Sequence, residues 1–267
     1  MTRAVVCGVC GRMGKRLASL IIDSTDLQLV GATERAGHQD TGRDVGELVG
    51  SQALGVAVTP VLADIVDAAD VVINFTLPEP TLSAAAVCAE AGKPMVVGTT
   101  GFTDEQLSQF HRLIEPIACV FAPNFSTAMN VLFRLVEEAA GLLGEEYDIE
   151  VVEAHHRLKV DAPSGTALRL AEAAAKGLRR DLAEVAVHGR HGLVGERTSQ
   201  EIGIHAVRLG DQVGDHNVMF GAAGEYLELR HHATSRDAFV QGALRAARFA
   251  ATAAPGLYDV GDVLGIK

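Results

Sequence analysis

The chain has 267 residues, with 23 Lys and Arg against 34 Asp and Glu, a formal net charge of −11 with the histidines neutral. Hydrophobic residues make up 48% and charged ones 21%, which excludes wholesale disorder and suits one or two domains with a real core. So acidic a chain repels phosphate polymers and anionic lipid surfaces, so neither nucleic acid nor a membrane is an expected partner.

No apolar run of signal-peptide length follows Met1, and residues 116–133, charge-free but with two prolines and two asparagines, do not suit a bilayer span. Four cysteines are too few for a disulfide scaffold of this size, and a cytoplasmic location is expected.

The first half alternates short apolar runs with helical patterns. Residues 4–7 (AVVC), 27–33 (LQLVGAT), 71–75 (VVINF), 94–98 (PMVVG) and 118–122 (ACVFA) read as strands. Helices are expected at 12–22, 80–91 and 104–113, the last behind the capping box Thr103-x-x-Gln106. Near-continuous apolar strands alternating with helices predict an α/β, doubly wound parallel sheet. After Asn124 the pattern changes: a helix at 127–142, a strand at 147–154, a helix at 166–176, then strands at 202–208, 213–220 and 226–233 joined as a meander. This predicts a smaller α+β domain with an open antiparallel or mixed sheet. A last amphipathic helix at 236–251 is expected to return to the first domain.

Strand one ends in Gly8, Val9, Cys10, Gly11, Arg12, Met13 and Gly14, a GxxGxxG turn into a helix. Such a turn offers free backbone N–H groups and the positive helix end to a pyrophosphate. Glu34 stands at the end of strand two, about twenty residues on, where a carboxylate grips a ribose diol. Arg35 follows, and its guanidinium suits a 2′-phosphate instead. The expected cofactor is a nicotinamide dinucleotide, NADH or NADPH. Cys7-x-x-Cys10 is expected to serve the turn rather than redox chemistry, and Cys88 and Cys119 read as core.

The densest polar stretch runs from Glu153 to Thr166, with His155, His156, Arg157, Lys159 and Asp161 ahead of a Pro163-Ser164-Gly165 turn. Cationic groups beside the hydroxyls and N–H groups of a helix start suit a substrate with one or two carboxylates, and a histidine there can donate a proton. Asp161 either orients Lys159 or caps the helix. Adjacent strand histidines point to opposite faces and make poor co-ligands, so no metal is expected. His231 and His232 read as structural.

The run EAHHRLKVDAPSGTA, with the GRMG turn, VVGTTG, FAPNFS at 121–126 and RLGDQVGDH at 208–216, closely resembles the dihydrodipicolinate reductase (4-hydroxy-tetrahydrodipicolinate reductase) family over the whole chain. The resemblance implies a Rossmann domain from residues 1–126 and 237–267, a substrate-binding and oligomerisation domain from 127–236, and a homotetramer. It implies reduction of 4-hydroxy-tetrahydrodipicolinate in the diaminopimelate route to lysine. Residues 8–13 would hold the pyrophosphate, Glu34 the ribose and Arg35 a 2′-phosphate. Gly98, Thr99, Thr100, Ala122, Pro123, Asn124 and Phe125 would line the nicotinamide side. His156, Lys159, Ser164, Gly165 and Thr166 would hold a small dicarboxylate, with His155 and Lys159 as proton donors. Leu77 departs from the basic residue relatives often carry there. The alternatives are another two-domain NAD(P)-dependent reductase, of aspartate-dehydrogenase or sugar type, and a non-catalytic dinucleotide sensor.

Overall fold

Met1–Ile266 are described by a computed structural model, in which the chain forms two compact units. The first comprises Met1–Thr127 and Asp237–Ile266, the second Ala128–Arg236. In chain order the elements are β1 (Thr2–Cys7), α1 (Arg12–Ile22), β2 (Leu27–Thr33), α2 (Val45–Leu48), β3 (Val58–Thr59), β4 (Val71–Asn74), α3 (Pro78–Glu90), β5 (Met95–Val97), α4 (Asp104–Ile114) and β6 (Ala118–Phe121). Then come α5 (Thr127–Leu143), β7 (Asp148–His155), α6 (Gly165–Gly177), α7 (Leu182–Val185), β8 (Ala186–His188), β9 (Ile202–Arg208), β10 (Gly214–Ala222) and β11 (Glu225–Ala233). The chain returns to the first unit with α8 (Asp237–Ala250), β12 (Gly256–Tyr258) and α9 (Val260–Leu264).

The first unit carries a seven-stranded sheet of order β12-β6-β5-β4-β1-β2-β3, parallel throughout. Its central strands are apolar on both faces because both are covered: Val71, Val72 and Ile73 are fully buried. One face packs against Leu17, Ala18 and Ile21 of α1 and Val240, Ala243 and Leu244 of α8, the other against Ala85 and Cys88 of α3 and Phe110 and Ile114 of α4. The expected capping box starts α4: Thr103 accepts from Gln106 N and the Gln106 side chain accepts from Thr103 N. Chain order reverses across β1, with β2 on one side and β4 on the other, and such a switch point opens a crevice at the carboxyl ends of the strands.

The second unit carries a five-stranded mixed sheet of order β11-β10-β7-β9-β8. The three-strand meander expected for residues 202–233 is only half present. β10 and β11 form a hairpin, but β9 does not neighbour β10, because β7 lies between them. The reason is the crossover through α6: it returns β9 parallel to β7, so that Ile202 and Ile204 bury against the same helices as Ile149 and Val151. The connection from β9 to β10 then rounds the end of β7, with Leu209 N donating to His155 O at 2.8 Å and Arg157 N to Gly210 O at 3.1 Å. Met129, Leu132 and Val136 of α5 and Leu170, Ala171 and Ala174 of α6 complete this core.

Candidate active site

In the first unit the glycine turn is built by contact distances. Gly8 has φ +71°, and a Cβ there would lie 2.7 Å from the Thr76 side chain. At Gly14 a Cβ would stand 2.1 Å from Gly8 O, so only glycine lets α1 start this close to β1. Gly8 N and Val9 N both donate to Thr33 O, pinning the turn to the end of β2. The N-cap of α1 is Gly11, with no side chain to occupy the first free N–H groups, and those groups stay available to an anion.

A groove of about 630 Å³ lies along this edge, lined among others by Gly8, Gly11, Thr33, Glu34, Arg35, Asn74 and Thr76. Its size falls within the range of small-ligand sites. Glu34 is held there by two backbone donors, Cys10 N at 3.2 Å and Arg35 N at 2.9 Å. Of the expected nucleotide residues, Gly8, Gly11, Glu34 and Arg35 share this groove, whereas Val9 turns its side chain into the core. Gly98, Thr99 and Thr100 follow β5, and Ala122–Phe125 follow β6, at the same carboxyl edge but outside the groove lining. Thr99 is buried against Thr81, with hydroxyls 2.7 Å apart, and Phe125 packs on Phe75 with ring centroids 5.2 Å apart.

Asn74 escaped the sequence reading. It is fully buried at the end of β4, its Oδ1 accepts from Thr76 N and Oγ1, and its Nδ2 finds no acceptor among the described residues. A buried donor of this kind at a strand's carboxyl end fits a polar ligand. Leu77 lines the groove and is exposed. The Cys7 thiol is pushed up to about 11 by burial, and so is that of Cys10, by burial and then by Glu34 and Asp40, which removes the thiolate that redox chemistry would need.

In the second unit the polar cluster grows out of a hydrophobic stripe. Alternate residues of β7 point to the helix side: Ile149 and Val151 are apolar, and Glu153 and His155 continue the same row. Glu153 is fully buried, and four hydrogen bonds from three groups converge on it. Arg208 reaches Oε2 and Oε1 with both guanidinium nitrogens at 2.9 Å, Ser164 N donates at 3.0 Å, and His155 Nδ1 lies 2.6 Å from Oε2. Burial alone would raise this carboxyl, but Arg208, His155 and the Ser164 amide outweigh it and hold it below the ordinary carboxylate range. An ionised carboxylate only accepts, so His155 donates through Nδ1 and is left with Nε2 for other work.

Ser164 is the N-cap of α6, its Oγ accepting from Ala167 N at 3.1 Å, and the same hydroxyl lies 3.2 Å from His216 Nε2. Gly165 opens the helix, and a Cβ there would meet nothing within 4 Å, so packing does not demand glycine. A bare first turn leaves its N–H groups open to a carboxylate. Thr166 follows, half-buried. Lys159 Nζ sits 2.8 Å from Asp161 Oδ1, so Asp161 orients the lysine while Ser164 does the capping. His156 leaves the strand, and its Nδ1 is buried without a partner among the described residues. His232 pairs with Asp215 on the neighbouring strands. Arg208 and His216 escaped the sequence reading, because they reach this cluster from β9 and β10, more than fifty residues along the chain.

His216 packs edge-on to His155, ring centroids 5.1 Å apart, and is held down to about 3 by burial and then by His155. Its ordinary value is 6.5, so below that pH the unfolded chain takes a proton that the fold refuses. Stability is lost as pH falls through that window, by about 1.4 kcal/mol per pH unit. His216→Gln is expected to flatten the decline in the calorimetric unfolding midpoint between about pH 6 and pH 4. Parallel declines in both proteins would contradict it.

Two family models cover nearly all of the chain: dihydrodipicolinate reductase, N-terminus, over residues 2–125, and dihydrodipicolinate reductase, C-terminus, over residues 128–264. The 4-hydroxy-tetrahydrodipicolinate reductase of Syntrophobacter fumaroxidans is 49% identical over 267 residues, the whole of both chains. That of Halorhodospira halophila is 49% identical over 98% of each. The chain belongs to the dihydrodipicolinate reductase family. The dipicolinate-bound dihydrodipicolinate reductase of Paenisporosarcina sp. TG-14 superposes with a TM-score of 0.76 at 27% identity, covering 97% of both chains. An amine dehydrogenase from Mycobacterium smegmatis, at 16% identity and a TM-score of 0.61, shares the fold alone. A family member is an oxidoreductase of diaminopimelate and lysine biosynthesis that draws on a nicotinamide dinucleotide and acts on a small carboxylate. The family models divide the chain linearly near residue 126, whereas in space α8, β12 and α9 rejoin the first unit.

Proposed function

We propose that this chain reduces 4-hydroxy-tetrahydrodipicolinate to tetrahydrodipicolinate with NADH or NADPH, as a cytoplasmic homotetramer. The reading rests on one observation above others: a single buried carboxylate, Glu153, holds both the His155 ring and the start of the α6 helix. A dinucleotide sensor has no use for a proton donor locked beside a carboxylate-binding helix end, and a reductase of this family matches 49% of the residues end to end. No helix among the described residues is long and apolar enough to cross a membrane, in keeping with a cytoplasmic enzyme. The second unit's sheet exposes Tyr226 and Leu227 on its edge strand, in keeping with assembly through that sheet.

The glycine turn of residues 8–13 and the free N–H groups of α1 hold the pyrophosphate, Glu34 the ribose diol and Arg35 a 2′-phosphate. Gly98–Thr100 and Ala122–Phe125 line the nicotinamide side. Bound there, the dinucleotide supplies a hydride to C4 of the conjugated cyclic imine that remains once the 4-hydroxyl leaves as water. His156, Lys159, Ser164, Gly165 and Thr166 neutralise and orient the two carboxylates. His155, with Lys159, delivers the proton that completes the adjacent carbon. One hydride and one proton enter and one water leaves.

Glu34 and Arg35 both line the groove, so both nucleotides are expected to serve. Glu34→Ala is expected to lower kcat/KM for NADH about 10- to 100-fold with a smaller effect on NADPH, and Arg35→Ala to do the reverse, each charged hydrogen bond contributing about 1.5–3 kcal/mol. Steady-state kinetics with both nucleotides on enzymatically generated substrate checks this. Equal losses for both nucleotides in both variants would contradict the assignment.

A further inference from the structure

Beside the glycine turn, the fold brings a cysteine against two donors from a loop nearly thirty residues further on. Cys10 Sγ, an imidazole nitrogen of His38 and a carboxylate oxygen of Asp40 all lie within 4.8 Å of one another. Among the described residues, no other trio of such donors is so close. His38 and Asp40 sit on the loop after β2, which turns back through His38 N donating to Arg35 O at 3.2 Å and Asp40 N to His38 Nδ1 at 3.2 Å. Asp40 is buried, its Oδ1 held by Arg43 at 2.5 Å and its Oδ2 3.7 Å from His38 Nδ1. Glu34 closes the other side through Cys10 N.

The sulfur is thus half-buried between two carboxylates. With the Glu34 and Asp40 carboxylates on either side, these surroundings disfavour a further lone negative charge and favour a cation. A divalent ion inverts that balance and stabilises the thiolate. Sulfur, imidazole and carboxylate together select a zinc-like ion over magnesium or calcium. Tetrahedral donors around such an ion stand about 3.3–3.7 Å apart, so the trio closes by about 1 Å through side-chain rotation, leaving a fourth position for Glu34 or water.

We propose that Cys10, His38 and Asp40 bind a zinc-like divalent ion, and that ion and nicotinamide dinucleotide exclude one another. The exclusion rests on the reading of Glu34 as the ribose ligand; the ion site does not. Binding exchanges the S–H bond for a sulfur–metal bond and releases the proton to solvent, with no change of oxidation state. Metal would then slow the reductase by competing with its nucleotide.

Cobalt(II) titration of the full chain tests this. One equivalent is expected to raise a thiolate-to-cobalt charge-transfer band, since the other three cysteines are buried. Cys10→Ser is expected to abolish the band and His38→Asn to weaken cobalt binding about 100-fold, while His38→Asn keeps wild-type turnover with NADH. NADH is expected to erase the band, and zinc to inhibit wild type competitively with NADH but not His38→Asn. No band in the wild type, or an undiminished one in His38→Asn, overturns the ion site. A band that survives NADH saturation overturns the exclusion, whereas failure to bind NADH without metal would overturn the nucleotide reading instead.

Discussion

His155→Gln is expected to lower kcat about 10²- to 10⁴-fold, the usual contribution of a positioned general acid, while KM for the nucleotide stays within about twofold. Glutamine fills much of the ring's volume, and its amide still donates to Glu153 Oε2, where His155 Nδ1 now lies at 2.6 Å. The shape and the buried hydrogen bond therefore survive, and only the transferable proton is removed. The nucleotide groove belongs to the first unit and His155 to the second, so nucleotide affinity should not follow the loss. Steady-state kinetics with a direct nucleotide-binding titration separates the two quantities. Equal losses in turnover and nucleotide affinity would mean that His155 supports the fold rather than the chemistry.

Glu153 carries the second large effect. Glu153→Ala removes the acceptor of Arg208, of the Ser164 amide and of His155 in one step. A buried ion pair broken on one side costs about 3–5 kcal/mol, because the remaining charge is left without a partner. At about 2–4 °C per kcal/mol for a chain of this size, the unfolding midpoint should drop by about 10 °C. Glu153→Gln keeps the volume and one acceptor, so it should lose less stability yet still cut turnover about 10- to 100-fold, as His155 loses its anionic partner. The sign with pH also follows. Because the Glu153 carboxyl is held below its ordinary value, its contribution is complete above about pH 4.5 and is lost as pH falls through the depressed value. A Glu153→Ala protein with wild-type stability and turnover would contradict this role.

Much of this was legible in the sequence because the signals are local. The boundaries of α1, β2 and β9 match the periodicity residue for residue, and α1 and β2 each bury a continuous stripe. The GRMG turn and the Glu153–Thr166 run stand out in the sequence because turn chemistry and helix capping act within a few residues. What stayed hidden depends on contacts across the chain. β3 and β12, two and three residues long, have too little pattern to stand out and exist because neighbouring strands offer their edges. The order of β7, β9 and β10 is set by a crossover helix, not by strand spacing. Glu153 was visible as a residue but not as a hub, because Arg208 meets it, and His216 meets its partners Ser164 and His155, only in space. Cys10, His38 and Asp40 gave no metal signal for the same reason, since their spacing matches no ligand motif.

The most direct measurement starts from pyruvate and aspartate semialdehyde, which the preceding synthase condenses to 4-hydroxy-tetrahydrodipicolinate, with this chain and nicotinamide-deuterated NADH added. One nucleotide should be oxidised per substrate consumed, and the deuterium should appear at C4 of the tetrahydrodipicolinate formed. No substrate-dependent oxidation with either NADH or NADPH, or a label found away from C4, would contradict hydride delivery to this substrate.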